Sequence, residues 1–157
     1  MPFPEIGAPA PLFSLPNQAG ETVSLADFQG QKTVVLYFYP KAMTPGCTVQ
    51  ACGIRDNQAA YAAHDIVVLG ISPDTPKRLH KFMDKEQLNF PLLGDEDHAV
   101  AEAYGVWGLK KFMGREYDGI HRVTFIIGKD GQIRHIMPKV NTKTHHSDVL
   151  KWIVENP

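Results

Sequence analysis

Two runs, Thr33–Tyr39 and Ile66–Ser72, constrain this chain more than any other feature. In each, apolar residues follow one another without the polar alternation of a half-wetted strand, which predicts a strand covered on both faces. Pro40 closes the first run, and after a loop through Gly46 the Ala- and Gln-rich stretch Cys47–Ala63 favours a helix. Strand, helix and strand in that order make a β-α-β unit, so the two strands should lie parallel, joined by a right-handed crossover. A sheet covered on both faces then needs further elements from the rest of the chain.

Those elements are legible in outline. Pro4, Pro9, Pro11 and Pro16 interrupt an opening arm whose extended pieces, around Leu12–Leu15 and Thr22–Leu25, turn near Gly20 and predict an N-terminal hairpin. Pro76–Gln87 reads as a helix, with Pro76 in its first turn and Leu79, Phe82 and Met83 on one face. Asn89–Leu93 is too short to assign. A short helix is expected over His98–Tyr104, closed at Gly105 and preceded by Asp95-Glu96-Asp97, whose charges suit a helix N-terminus. Val123–Ile127 and Ile133–Met137 flank Gly128-Lys129-Asp130-Gly131 and read as an antiparallel hairpin; Ser147–Glu155 closes the chain as an amphipathic helix. Trp107, Phe112, Met113 and Tyr117 are expected to be core or a lid near the site. This order predicts an α/β, thioredoxin-like fold: a central mixed sheet flanked by helices, with the N-terminal hairpin annexed. A length of 157 residues suits one domain, 1–157.

Composition removes whole classes of function. Sixteen basic against seventeen acidic residues leave a net charge of -1, no field for a polyanion, so nucleic acid is not an expected partner. No stretch approaches the roughly 20 apolar residues of a membrane span. Met1-Pro2-Phe3-Pro4-Glu5 has neither the basic start nor the apolar run of a secretory signal, and a cytoplasmic protein is expected. No nucleotide or flavin motif appears, and the adjacent His145 and His146 should diverge with no zinc-ligand spacing around them. Neither cofactor nor metal is expected. Two cysteines, Cys47 and Cys52, are too few for a disulfide scaffold, so their placement matters more than their number.

Cys47 stands where a helix begins. Thr44 can cap that helix, Pro45 fits its first turn, and unpaired N–H groups with the helix dipole favour negative charge on a side chain there. A thiolate is the reactive form of cysteine, so the local backbone itself promotes a nucleophile. Pro40, Thr44 and Cys47 fit the signature Pro-x-x-x-Thr/Ser-x-x-Cys. The surrounding residues, Tyr37-Phe38-Tyr39-Pro40-Lys41-Ala42-Met43-Thr44-Pro45-Gly46-Cys47-Thr48-Val49-Gln50-Ala51-Cys52, resemble the peroxiredoxins, in the branch of the bacterioferritin comigratory protein and peroxiredoxin Q. The resemblance extends from Gly7-Ala8-Pro9-Ala10-Pro11 through Asp118-Gly119-Ile120-His121-Arg122 to the closing helix.

That resemblance implies a thiol peroxidase. Cys47 would be the peroxidatic nucleophile, Cys52 the resolving thiol that forms a disulfide with it, Thr44 a hydroxyl partner of thiolate and peroxide, Pro40 a shield against water, and Arg122 the charge beside the sulfur. It also implies hydroperoxide substrates, a thioredoxin-type reductant with glutaredoxin as a second candidate, and a monomer. Many relatives carry Glu where this chain has Gln50, so the role of that carboxylate does not carry over. His121 should face away from Arg122 and is read as structural. The rival reading, a thiol–disulfide oxidoreductase, is disfavoured by four residues between the cysteines instead of two. A non-enzymatic redox sensor or holdase would use the same two thiols as a switch. In an ideal helix, residues five apart lie roughly 8.6 Å distant and about 140° around the axis, so a disulfide between them requires the helix to open. Thr48, Gln50 and Gly53 are expected to ease that opening.

Overall fold

The computed structural model describes residues 3–157; Met1 and Pro2, where the reading of the N-terminus begins, lie outside the described residues. The proline-broken arm forms β1 (Ser14–Pro16) and β2 (Thr22–Ser24), paired antiparallel with Leu15 opposite Val23, and a 3-10 turn at Leu25–Phe28 follows. The two apolar runs form β3 (Thr33–Phe38) and β4 (Ile66–Ser72), parallel, with Tyr37 opposite Gly70. Between them lie α1 (Pro45–Asp56) and α2 (Gln58–Ala63). The single helix expected over Cys47–Ala63 is thus broken at Asn57. Its backbone N–H closes a tight turn on Ile54, and its side-chain amide donates back to the Gly53 carbonyl at 2.7 Å. An Asn side chain that competes for backbone partners in this way favours a helix end.

The chain continues through α3 (Pro76–Glu86), the short strand β5 (Leu92–Gly94) inside the segment left unassigned, and α4 (Ala99–Ala103). Asp95 accepts from the Val100 and Ala101 amides, at 3.2 and 2.8 Å, so the acidic run does cap that helix. β6 (Trp107–Phe112) and β7 (Arg115–Ile120) then form an antiparallel hairpin that the sequence reading missed. Its turn is Met113-Gly114, both left-handed at φ 51° and 78°, and a methionine in that position carries no recognisable turn signal. Met113 and Tyr117 are exposed (86% and 47%), which corrects the expectation of core. The lid half of that expectation fares better, as Trp107 and Tyr117 stand beside the candidate site. The side chain of Phe112 lies outside the described residues.

β8 (Thr124–Ile127), β9 (Ile133–Met137) and α5 (His145–Glu155) complete the fold. The sheet runs β5-β4-β3-β8-β9, parallel across the first three strands and antiparallel across the last two pairs, the mixed thioredoxin-like arrangement that was expected. Pleating sorts the central strand: Val34, Leu36 and Phe38 pack with Leu15, Tyr104 and Phe125, while Val35, Tyr37 and Tyr39 pack with Cys47, Ile54, Phe82 and Val149. The first face is sealed by the N-terminal hairpin and α4, the second by α1, α3 and α5. No described helix is long and apolar enough to cross a membrane. His121 departs from its reading: it precedes β8, outside any strand, and it is exposed instead of packed with Val123. Its N–H is tied to the Val106 carbonyl at 2.8 Å, which holds the junction between the two hairpins and leaves the ring in solvent.

Candidate active site

The C-terminal end of β3 delivers the chain into the loop from Pro40 to Thr44, and two features force it to turn. Met43 adopts a left-handed φ of 67°, a conformation that a non-glycine residue holds only where its surroundings impose it. Ala42 is clamped at both backbone groups: its N–H donates to the buried Asp74 carboxylate at 2.8 Å, and its carbonyl accepts from Arg78 Nη2 at 3.0 Å. Asp74 also accepts from the Ser72 hydroxyl at 2.7 Å and pairs with Arg78 Nε at 3.0 Å. The loop's shape is therefore set by residues that the sequence reading passed over, at the end of β4, in the turn after it and in the first turn of α3. Asp74→Ala strands the buried Ala42 N–H, which costs roughly 1–3 kcal/mol. We expect urea titration of this variant to give an unfolding free energy lower by about that amount; an unchanged midpoint would show the clamp to be idle.

Thr44 precedes α1 in extended conformation, φ -86° and ψ 155°, with Pro45 as the first helical residue and Cys47 as the third. Thr48 N–H makes a helical bond to Thr44 O at 2.9 Å, so the amides of the turn ahead of it point toward the site without intrahelical acceptors. The expected side-chain cap is absent: the Thr44 hydroxyl donates instead to the Lys41 carbonyl at 2.9 Å. Its proton is thereby committed to the loop, and its oxygen lone pairs remain available to an incoming O–H.

Cys47 is 1% exposed, at the floor of this turn. Arg122, on the segment leading into β8, donates through Nη2 to Cys47 Sγ at 3.1 Å and through Nη1 to Gln50 Oε1 at 2.9 Å. The closeness depends on a missing side chain: a Cβ on Gly46 would come within 3.0 Å of Nη2. Of the residues singled out from the sequence, the structure brings Arg122 onto Cys47, sets Thr44 just ahead of their helix and leaves Pro40 lining the neighbouring groove. The sequence reading misjudged Gln50, which is 1% exposed and bonded at both ends of its amide, to Arg122 and to His145 Nδ1 (3.1 Å). Gln50 anchors α1; it does not ease its opening. Gly53 behaves likewise, since a Cβ there would collide with the His146 ring, so this glycine lets α1 dock against α5.

Cys52 lies on the same continuous helix, yet it faces other company. Its thiol donates to Glu86 Oε2 at 3.6 Å, and both cysteines are free. Burial pushes the Cys52 thiol up, the neighbouring Arg55 pulls it down, and Glu86 adds to the rise by its charge and its hydrogen bond. The dithiol state therefore keeps Cys52 protonated against α3 while Cys47 points at Arg122.

Beside Pro40 opens a groove of about 360 Å³ lined by Lys41, Trp107, Lys110, Tyr117 and Ile120. Lys110 gives its ammonium to the Ile120 carbonyl at 2.8 Å. Its pKa is lowered, first by burial and then by the Arg122 charge, with Cys47 acting the other way. Neither Lys110 nor the groove could be found without the unrecognised hairpin that carries them. Among the described residues, no cluster of His, Cys, Asp or Glu could hold a metal ion.

Comparison with known proteins gives this geometry a context. A family model described as the AhpC/TSA family matches residues 6–136. The chain is 58% identical over 147 residues to the peroxiredoxin Bcp of Escherichia coli (strain K12), covering 94% of each chain. It is 48% identical over 149 residues to the peroxiredoxin Bcp of Bacillus subtilis (strain 168), covering 95% of this chain and 94% of that one. Among solved structures it resembles the Xanthomonas campestris bacterioferritin comigratory protein, described for its alkyl peroxide reduction activity: TM-score 0.86, 30% identity, 91% of this chain and 90% of that one.

Proposed function

Because the chain belongs to the AhpC/TSA family and is a peroxiredoxin, a thiol peroxidase, we propose that it reduces hydrogen peroxide and organic hydroperoxides through Cys47 and Cys52. The Cys47 thiolate attacks the nearer peroxide oxygen; an S–O bond forms as the O–O bond breaks, and the alkoxide or hydroxide leaves as alcohol or water after taking a proton. Arg122, 3.1 Å from the sulfur, steadies the charge that spreads over the two oxygens, and the Thr44 oxygen accepts the peroxide's own O–H. Pro40 keeps bulk water off the sulfur. The Cys52 thiol then attacks the sulfenic sulfur: the S–S bond forms, the S–O bond breaks, and hydroxide leaves with the thiol's proton as water. A thioredoxin-class dithiol returns both cysteines to thiols by exchange. The protein acts as a cytoplasmic monomer in this reading.

The observation that carries the proposal is the guanidinium–sulfur bond at a buried cysteine in the first turn of a helix. A guanidinium held by Gln50 and donating to a helix-start thiol suits developing oxyanion charge better than it suits exchange with a bulky protein disulfide. The deciding experiment adds many equivalents of hydrogen peroxide with thioredoxin, its reductase and NADPH. We expect NADPH oxidation to continue far beyond one equivalent per protein. Arrest after a single equivalent would indicate a redox switch instead of a catalyst.

A further inference from the structure

We infer that His145 is a positioning residue for the reaction at Cys47: it holds the Gln50 amide that in turn holds the Arg122 guanidinium against the sulfur. The inference rests on the proposed roles of Cys47 and Arg122 and extends them two side chains farther from the reacting atom. No feature of the sequence pointed to it, since His145 read only as half of a diverging pair.

The chain of bonds can run in one direction only. Arginine has no acceptor, so the Gln50 oxygen must face Nη1, at 2.9 Å. The Gln50 amide nitrogen therefore faces His145 and donates to Nδ1 at 3.1 Å. Nδ1 must then be a bare lone pair, which puts the imidazole proton on Nε2, where it is donated to Thr124 Oγ1 at 2.8 Å. A charged ring would set an N–H against the Gln50 N–H and break the relay at its middle. Burial holds His145 down to about 4, with Asp148 acting upward and His146 and Arg122 downward; the Tyr37 ring, 5.6 Å away on β3, completes its surroundings. The ring is thus neutral at ordinary pH.

Gln50, His145 and Thr124 are each 1% exposed or less, so every bond of the relay, once broken, leaves a buried polar atom without a partner. A glutamine alone has three soft torsions and could not fix a guanidinium. A buried hydrogen-bonded network reaching from α1 through α5 to β8 can. Opening α1 carries Gln50 away from both neighbours, so the relay exists only in the state that attacks peroxide.

Rapid-mixing measurement of Cys47 oxidation by hydrogen peroxide, on the full chain, reads the inference. His145→Leu should slow the step by about tenfold, because a displaced guanidinium loses its alignment on the sulfur. His145→Asn, which keeps an acceptor near the Nδ1 position, should recover to within about threefold of the parent. Adding His145→Leu to Gln50→Leu should cause no further loss, as expected of residues acting in series. Nitrogen-15 spectra of the parent should show Nε2 protonated. If the leucine variants fail to fold, the near-isosteric Thr124→Val should still slow the step by about threefold by removing the acceptor of the Nε2 proton. A parental rate in folded His145→Leu or Thr124→Val, losses that multiply in the double variant, or a proton on Nδ1 would overturn the inference. A parent whose Cys47 is not oxidised by peroxide at all would overturn instead the function on which it rests.

Discussion

Replacing Cys47 by serine leaves a folded protein whose peroxide turnover falls at least about 10³-fold, a loss of roughly 4 kcal/mol of transition-state stabilisation. The site would keep its arginine, its helix start and its groove; it would lack a nucleophile, because a serine hydroxyl is scarcely ionised near neutrality and its partner among the described residues is Arg122, which cannot accept a proton. Cys52 cannot take over. Its thiol is directed at Glu86, and burial with that carboxylate holds it protonated, away from Arg122. The coupled NADPH assay with hydrogen peroxide gives the number directly. Turnover above about a tenth of the parental rate would mean that the nucleophile lies elsewhere.

Cys52→Ser divides the cycle at its middle. The first oxidation should proceed at the parental rate, since nothing around Cys47, Arg122 and Gln50 changes. Thioredoxin-driven turnover should then fall by at least about 10²-fold as sulfenic acid, and later sulfinic acid, collects on Cys47. The reason is geometric. Both cysteines sit on the continuous helix α1, where residues five apart are held roughly 8.6 Å from one another, beyond the Cα separation that a disulfide tolerates. Resolution therefore has to break the start of α1, and with it the bonds from Arg122 and His145 to Gln50 and the contact of Gly53 with His146. These anchors make the opening costly in the dithiol state and leave the S–S bond to drive it. Amide exchange checks the consequence: the parent's disulfide form should lose protection across residues 47–53. Retained turnover in Cys52→Ser, with no other thiol added, would contradict the assignment of the resolving residue.

How far the sequence carried the reading depended on whether a signal was local. The runs at 33–39 and 66–72 and the Asp-Gly turn at 130–131 announce themselves by pattern, and the structure has β3, β4 and the β8–β9 hairpin there. Cys47 was legible because a helix start, a capping position and a proline coincide within four residues. Other parts of the site are long-range contacts. Asp74 reaches back 32 residues to Ala42, and Gln50 meets His145 across 95; neither spacing leaves a trace in the chain. The β6–β7 hairpin was lost for a third reason, a left-handed methionine in place of a usual turn residue, and with it went the groove and Lys110. Thr44 shows the limit of local reasoning even where it succeeds in position: it does precede the helix, but its hydroxyl bonds backward to the loop.

One measurement bears most directly on the claim that Cys47 and Cys52 form the redox pair. The reduced protein is treated with one equivalent of hydrogen peroxide, its remaining thiols are blocked, and the peptide spanning residues 42–55, which holds both cysteines, is weighed. The account predicts a peptide lighter by two hydrogens and closed to alkylation, with the same treatment of Cys52→Ser giving a peptide that has gained oxygen at Cys47. A peptide that remains a dithiol while peroxide is consumed, or a disulfide found only between two copies of the chain, would contradict it.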